Sequence, residues 1–141
     1  MIGFLLARHG VIMNARIRSA LGVTGLSPRH GMTLIHLAAC GPVSQQALIE
    51  TLGVDPSVVV GLLNDLERDG LAERRRDPAD RRRHIVTITP AGTATLARVD
   101  AAVQDVEADL FADLSPAEVA TLGDLLARVR TAADDPACTN D

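Results

Sequence analysis

Four times along this chain a side chain able to cap a helix stands directly before a proline: Ser27-Pro28, Asp55-Pro56, Thr89-Pro90 and Ser115-Pro116. A capping oxygen accepts one of the N–H groups that a helix's first turn leaves without a partner, and proline at the first helical position has no N–H to satisfy. Each pair predicts a helix start, and Ser115 with Glu118 predicts a capping box. Ser44-Gln45-Gln46 predicts a fifth start without proline, and an initial helix is expected from about Phe4 to Leu21. Cys40-Gly41-Pro42, Leu52-Gly53 and Asp69-Gly70 predict stops, each with glycine where a left-handed residue is wanted. Between Leu71 and Thr89 the pattern changes. Residues 84–89 are rich in β-branched side chains and run back from the turn Asp77-Pro78-Ala79-Asp80, which predicts a two-stranded hairpin. The expected order is four helices, a hairpin and two helices.

Such a chain needs an aliphatic core, because 47% of its 141 residues are apolar while Phe4 and Phe111 are the only aromatics. Its length suits one compact domain, or a lobe with helices that need a partner. The net charge of -4 hides a strong segregation. Residues 1–49 hold four arginines and no carboxylate, six of the fourteen arginines fall in residues 74–83, and residues 100–141 hold ten acidic groups. A local basic patch drives phosphate binding, so the segregation favours nucleic acid more than the net charge opposes it. No run approaches the roughly 18 apolar residues of a membrane span. The apolar residues 2–6 are followed by Arg8 and His9 and lack a basic start, so neither an anchor nor a secretion signal is expected. Two distant cysteines, both read as free thiols, fit the cytoplasm.

Residues 44–70 form two short helices around Gly53-Val54-Asp55, with Val59, Leu62, Leu63 and Leu66 on the apolar face of the second. This is the layout of a helix-turn-helix, with the following hairpin as its wing. Leu66 to Arg74, then Asp80-Arg81-Arg82, then Ile88-Thr89-Pro90-Ala91-Gly92 resemble in order and spacing the signature of the MarR (multiple antibiotic resistance regulator) family. The resemblance extends over roughly residues 26–95. It implies a mainly α fold with a small β-hairpin wing, in which N- and C-terminal dimerisation helices flank a winged helix-turn-helix. The expected segments are 1–25 for the N-terminal dimerisation helix, 26–90 for the DNA-binding lobe, 91–133 for the C-terminal dimerisation helices and 134–141 for a flexible acidic tail.

The resemblance implies a sequence-specific transcriptional regulator, a repressor, that binds a pseudo-palindromic operator in double-stranded DNA as a homodimer. It also implies that Arg82 enters the minor groove. A guanidinium on a hairpin tip can follow the negative potential of a narrow groove without reading a base code. Arg81, Arg83 and the run Arg74, Arg75 and Arg76 are candidate phosphate contacts, and Asp80 is expected to orient a neighbouring arginine. On the second helix the groove-facing set reads Ser57, Val58, Val60, Gly61 and Asn64, of which Ser57 and Asn64 alone have side chains that hydrogen-bond. Val60 suits a thymine methyl, and Gly61 permits close backbone approach. Ser44, Gln45 and Gln46 are candidate backbone contacts at a helix N-terminus. Direct base readout is therefore expected to be sparse.

Beyond Pro90, Leu96, Val99, Val103, Val106 and Leu110 recur at alternating spacings of three and four, and Val119, Leu122, Leu125, Leu126 and Val129 continue an apolar stripe. These stripes, with Leu5, Leu6, Ile12, Ile17 and Leu21 of the first helix, predict a helical partner surface. The resemblance further implies a crevice for a small anionic or aromatic effector, for which Arg8, Arg16, His30 and Met32 are candidates. His36 and Cys40 stand one turn apart, but two ligands do not make a metal site, so neither metal nor cofactor is expected. No cation adjacent in sequence activates Cys40, and Cys138 lies in the acidic tail. No glycine-rich phosphate loop, nucleophile elbow or clustered acid pair points to catalysis. The rival reading is a winged-helix protein-interaction module with weak or lost DNA binding, which the apolar pair Val60-Gly61 keeps open.

Overall fold

The computed structural model describes residues 1–129. The acidic tail expected from residue 134, Cys138 and Arg130 lie outside them. Helix α1 (Ile2–Leu21) leads through a 3-10 turn to α2 (Pro28–Cys40), strand β1 (Val43–Ser44), α3 (Gln45–Leu52) and α4 (Pro56–Arg68). Strands β2 (Ala72–Arg76) and β3 (His84–Ile88) follow, then α5 (Pro90–Leu110) and α6 (Pro116–Ala127).

Every cap–proline pair opens a helix with proline in its first turn. Ser27, Thr89 and Ser115 accept a backbone N–H as expected, but the Asp55 side chain makes no capping bond. Ser44 caps α3 by accepting from the Ala47 N–H at 3.1 Å. At Gly41, Gly53 and Gly70 φ lies between 63° and 72°, the left-handed region that ends each helix cheaply only for glycine.

The sheet has three antiparallel strands in the order β1-β3-β2, one more than the hairpin the sequence predicts. Strand β1 pairs Val43 with Val86 and Ser44 with Ile85, and so ties the helix-turn-helix to the wing's base. In β2 and β3, Ala72 opposes Ile88 and Arg76 opposes His84, which leaves residues 77–83 as the wing tip. The core is aliphatic throughout: Leu21, Leu34, Leu37, Leu48, Val59, Leu63, Leu66, Val86 and Val99 are all at most 1% exposed. Its one buried polar side chain among the described residues, Thr33, donates its hydroxyl to the Arg29 carbonyl.

The expectation for α5 needs correction. Val99 belongs to the core, and Leu96, Ala102 and Val103 pack against it, because α5 lies on α1 and α2 of its own chain. Ile17 and Leu21 of α1 are likewise covered within the chain. Exposed apolar side chains include Ile2, Phe4, Leu5, Leu6 and Val11 of α1, Met32 and Ile35 of α2, Leu114 before α6, Leu125 and Leu126 near the end of α6, and Val129 just beyond it. Among the described residues no single helix is long and apolar enough to cross a membrane.

Candidate nucleic-acid interface

Helix α3 and helix α4 are set at 115° across Gly53, within the range of a helix-turn-helix. Val59, Leu62, Leu63 and Leu66 bury one side of α4. That burial turns Ser57, Gly61, Asn64 and Arg68, spaced four, three and four apart, to the surface as one stripe. Val58 and Val60 are half-buried at its margins. Arg68 is the member the sequence reading missed; its guanidinium lies 3.2 Å from Asp65 and 3.6 Å from Asp69.

A histidine fixes the pose of α4. The Ser27 N–H donates to His30 Nδ1 at 3.1 Å, so Nε2 carries the proton and donates to Asp65 Oδ2 at 2.9 Å. His30 thus completes the capping box of α2 and bonds to the recognition helix with the same ring. The His30 hydrogen bond, with Arg68 beside it, holds the Asp65 carboxyl below the usual carboxylate range. The carboxylate form therefore persists to lower pH than in an unpaired aspartate.

The six wing arginines are not one cationic surface. Arg74 donates from Nε to Glu67 Oε1 and from its terminal nitrogen to Asn64 Oδ1, joining β2 to α4. Arg75 lies 3.0 Å from Glu73, and Arg76 donates to the Arg81 carbonyl at 2.8 Å. Arg81, Arg82 and Arg83 are exposed, and their guanidinium groups have no ion-pair partner among the described residues. Asp80 organises them through the backbone rather than by holding a guanidinium: its carboxylate accepts the Arg82 N–H at 3.0 Å and its carbonyl the Arg83 N–H at 2.9 Å. The Asp77 carboxylate accepts the Ala79 N–H at 2.9 Å, and its own N–H donates to the Arg83 carbonyl at 2.9 Å. Aspartates able to make such turns are the local signal for the tip.

At the start of α3 the three candidates diverge. The Ser44 hydroxyl is engaged in capping, Gln45 is half-buried with an enclosed Oε1 that has no hydrogen-bond partner among the described residues, and Gln46 is exposed.

A cleft of about 350 Å³ separates α1 from the lobe. It is lined by Asn14 and Arg18 of α1, by Ser27, Pro28 and Arg29 at the start of α2, and by Ser57, Val58, Gly61, Leu62 and Asp65 on α4. None of the four sequence candidates lines it. Arg16 is paired with Asp109, His30 is engaged by Ser27 and Asp65, and Arg8 and Met32 point to solvent elsewhere on α1 and α2. Arg18 and Arg29 are the cations that line it. Helical periodicity could not separate Arg16 from Arg18 without knowing which side of α1 faces the lobe.

Comparison with known proteins agrees with this geometry. The sequence profile of the MarR family matches residues 24–83. A proposed transcriptional regulatory protein for the hcr operon of Thauera aromatica is 37% identical over 131 residues, 91% of this chain and 78% of that protein. A MarR-family transcriptional regulator from Rhodococcus sp. RHA1 superimposes with a TM-score of 0.83 at 32% identity, covering 89% of each chain. CouR from Rhodococcus jostii RHA1, bound to p-coumaroyl-CoA, gives 0.82 at 28% identity over 96% of this chain and 94% of its own. A variant of MarR from E. coli complexed with operator DNA gives 0.80 at 25% identity over 92% and 94%.

Proposed function

Because the chain belongs to the MarR family of winged helix-turn-helix transcriptional regulators, we propose that it represses transcription as a homodimer on a pseudo-palindromic duplex operator, with α4 in the major groove and the wing tip in the minor groove. The observation that carries the reading is the wing tip, where Asp80 and Asp77 fix the backbone so that the guanidinium groups of Arg81, Arg82 and Arg83 project without ion-pair partners among the described residues. Fold and family are those of regulators rather than enzymes. Such a protein acts on DNA in the cytoplasm.

The cleft supports control by a small anionic effector. Two guanidinium groups, Arg18 and Arg29, meet the N-terminus of α2 there, and Val58 and Leu62 supply an apolar wall. An occupant would touch Ser57 and Gly61, members of the exposed α4 stripe, so cleft and groove draw on the same residues. No aromatic side chain lines the cleft. The carboxylate or phosphate end of an effector, rather than ring stacking, would provide its hold.

The test is a mobility shift with duplex DNA flanking the protein's own gene, repeated over a salt series. Binding should weaken steeply with salt. Arg82→Ala should lower affinity by about 1–3 kcal/mol, with a greater loss on A·T-rich flanks where the minor groove is narrow. If Arg82 also neutralises a phosphate, the log-log salt slope should flatten by about 1. Arg98→Ala, at an exposed position on α5, is the control and should bind like wild type. Equal affinities for wild type and a folded, dimeric Arg82→Ala would reject the wing's role and favour the protein-interaction module instead.

A further inference from the structure

Beside Arg68, whose guanidinium is paired with Asp65 and Asp69, Asn64 is the side chain of the exposed α4 stripe suited to reading a base, and Arg74 restricts what it can read. Arginine has only donors, so the amide oxygen of Asn64 must be the atom that faces it and the NH2 group the atom that faces away. Glu67 accepts from Nε of the same guanidinium, so Arg74 is held at two of its nitrogens. Asparagine recognises adenine by accepting from N6 while donating to N7, and both halves of the amide are needed. Here one lone pair of Oδ1 is engaged by Arg74. The other lies beside a cation whose N–H groups repel an incoming amino group. What remains outward is a pair of donors.

We propose that Asn64, held by Arg74, reads guanine, whose major-groove edge offers the acceptors N7 and O6 side by side, and rejects adenine. The inference rests on the DNA-binding reading above. Thymine offers one acceptor beside a methyl group and satisfies a two-donor group less fully. Arg74 is then a positioning residue: it contributes to specificity through Asn64 rather than by touching phosphate, the role its place in the arginine run suggests.

Selection of binding sites from a library of randomised duplexes tests this with wild type, Asn64→Asp and Arg74→Met, each confirmed folded and dimeric. Wild type should favour guanine over adenine about 5- to 150-fold at one position in each half-site. Asn64→Asp keeps the tie to Arg74 as an ion pair but presents only acceptors, so the preference should move to cytosine, whose N4 amino group donates. Arg74→Met frees the amide oxygen and should move the preference to adenine. Should that variant fold poorly, the Asn64→Asp arm decides alone. Adenine selected by wild type, or the same base kept by Asn64→Asp, overturns the inference while leaving DNA binding intact. A folded wild-type dimer that enriches no duplex overturns the DNA-binding reading, and this inference with it.

Discussion

Leu125→Glu combined with Leu126→Glu is expected to yield folded monomers on a sizing column and to weaken operator binding about 10²- to 10⁴-fold, the advantage that linking two half-site contacts confers. These side chains are 52% and 44% exposed, and α6 has no buried residue at all. At the other end of the chain Phe4 is 73% and Val11 72% exposed. A soluble monomer seldom leaves two apolar helical ends uncovered, and a second copy of this chain supplies matching surfaces through two-fold symmetry. The lobe should stay folded, because its core of Leu34, Leu63, Leu66 and Val86 lies away from α6. Circular dichroism reports that independently of the column. A dimer of unchanged stability would remove α6 from the interface. Val103→Glu with Val106→Glu would give a different result: Val103 packs against the protomer's own core, so the pair should unfold the chain rather than separate two copies.

That contrast shows where the sequence was legible. Periodicity gave α5 its apolar stripe correctly, but it cannot say which neighbour covers a stripe, and here α1 and α2 do. The helix starts at Pro28, Pro56, Pro90 and Pro116 were readable because capping is decided within four residues. Strand β1 was not, since two residues carry no alternation and Val43 is a strand only through pairing with Val86, 43 positions away. In the site, the wing tip was legible from Asp77, Asp80 and three following arginines. The separation of Arg74 from Arg81, Arg82 and Arg83 was not, because Glu67 and Asn64 reach it only once α4 packs on β2. His30 is the same case: its partner Asp65 is 35 residues distant.

The junction between the wing and α5 yields the second large effect. Thr89, the cap of α5, donates its hydroxyl to the Gly70 carbonyl at 2.6 Å and its N–H to the Leu71 carbonyl at 3.0 Å, so the chain closes tightly on itself where β3 becomes α5. Three residues on, a Cβ at Gly92 would lie 2.1 Å from that Leu71 oxygen and 2.7 Å from Cγ1 of Ile88. The Ile88 side chain could move, but the Leu71 carbonyl is backbone and already bonded. Glycine near the start of a helix costs about 1 kcal/mol in propensity against alanine, and here the close approach outweighs it. Gly92→Ala is therefore expected to destabilise the protein by about 3 kcal/mol, the upper end for overpacking, and to lower the melting temperature by roughly 10 °C. The folded fraction should also bind DNA less well, because the shift needed to admit the methyl group moves β2, and with it the wing, relative to α5. Gly61→Ala, the same substitution on α4, meets nothing within 4 Å and should raise stability by about 0.5–1 kcal/mol. Thermal unfolding of the two variants side by side separates packing from propensity, since propensity alone predicts that both alanines stabilise. A Gly92→Ala protein that melts at or above the wild-type temperature would show that the contact between α5 and Leu71 yields easily, and the wing would then not be rigidly set by α5.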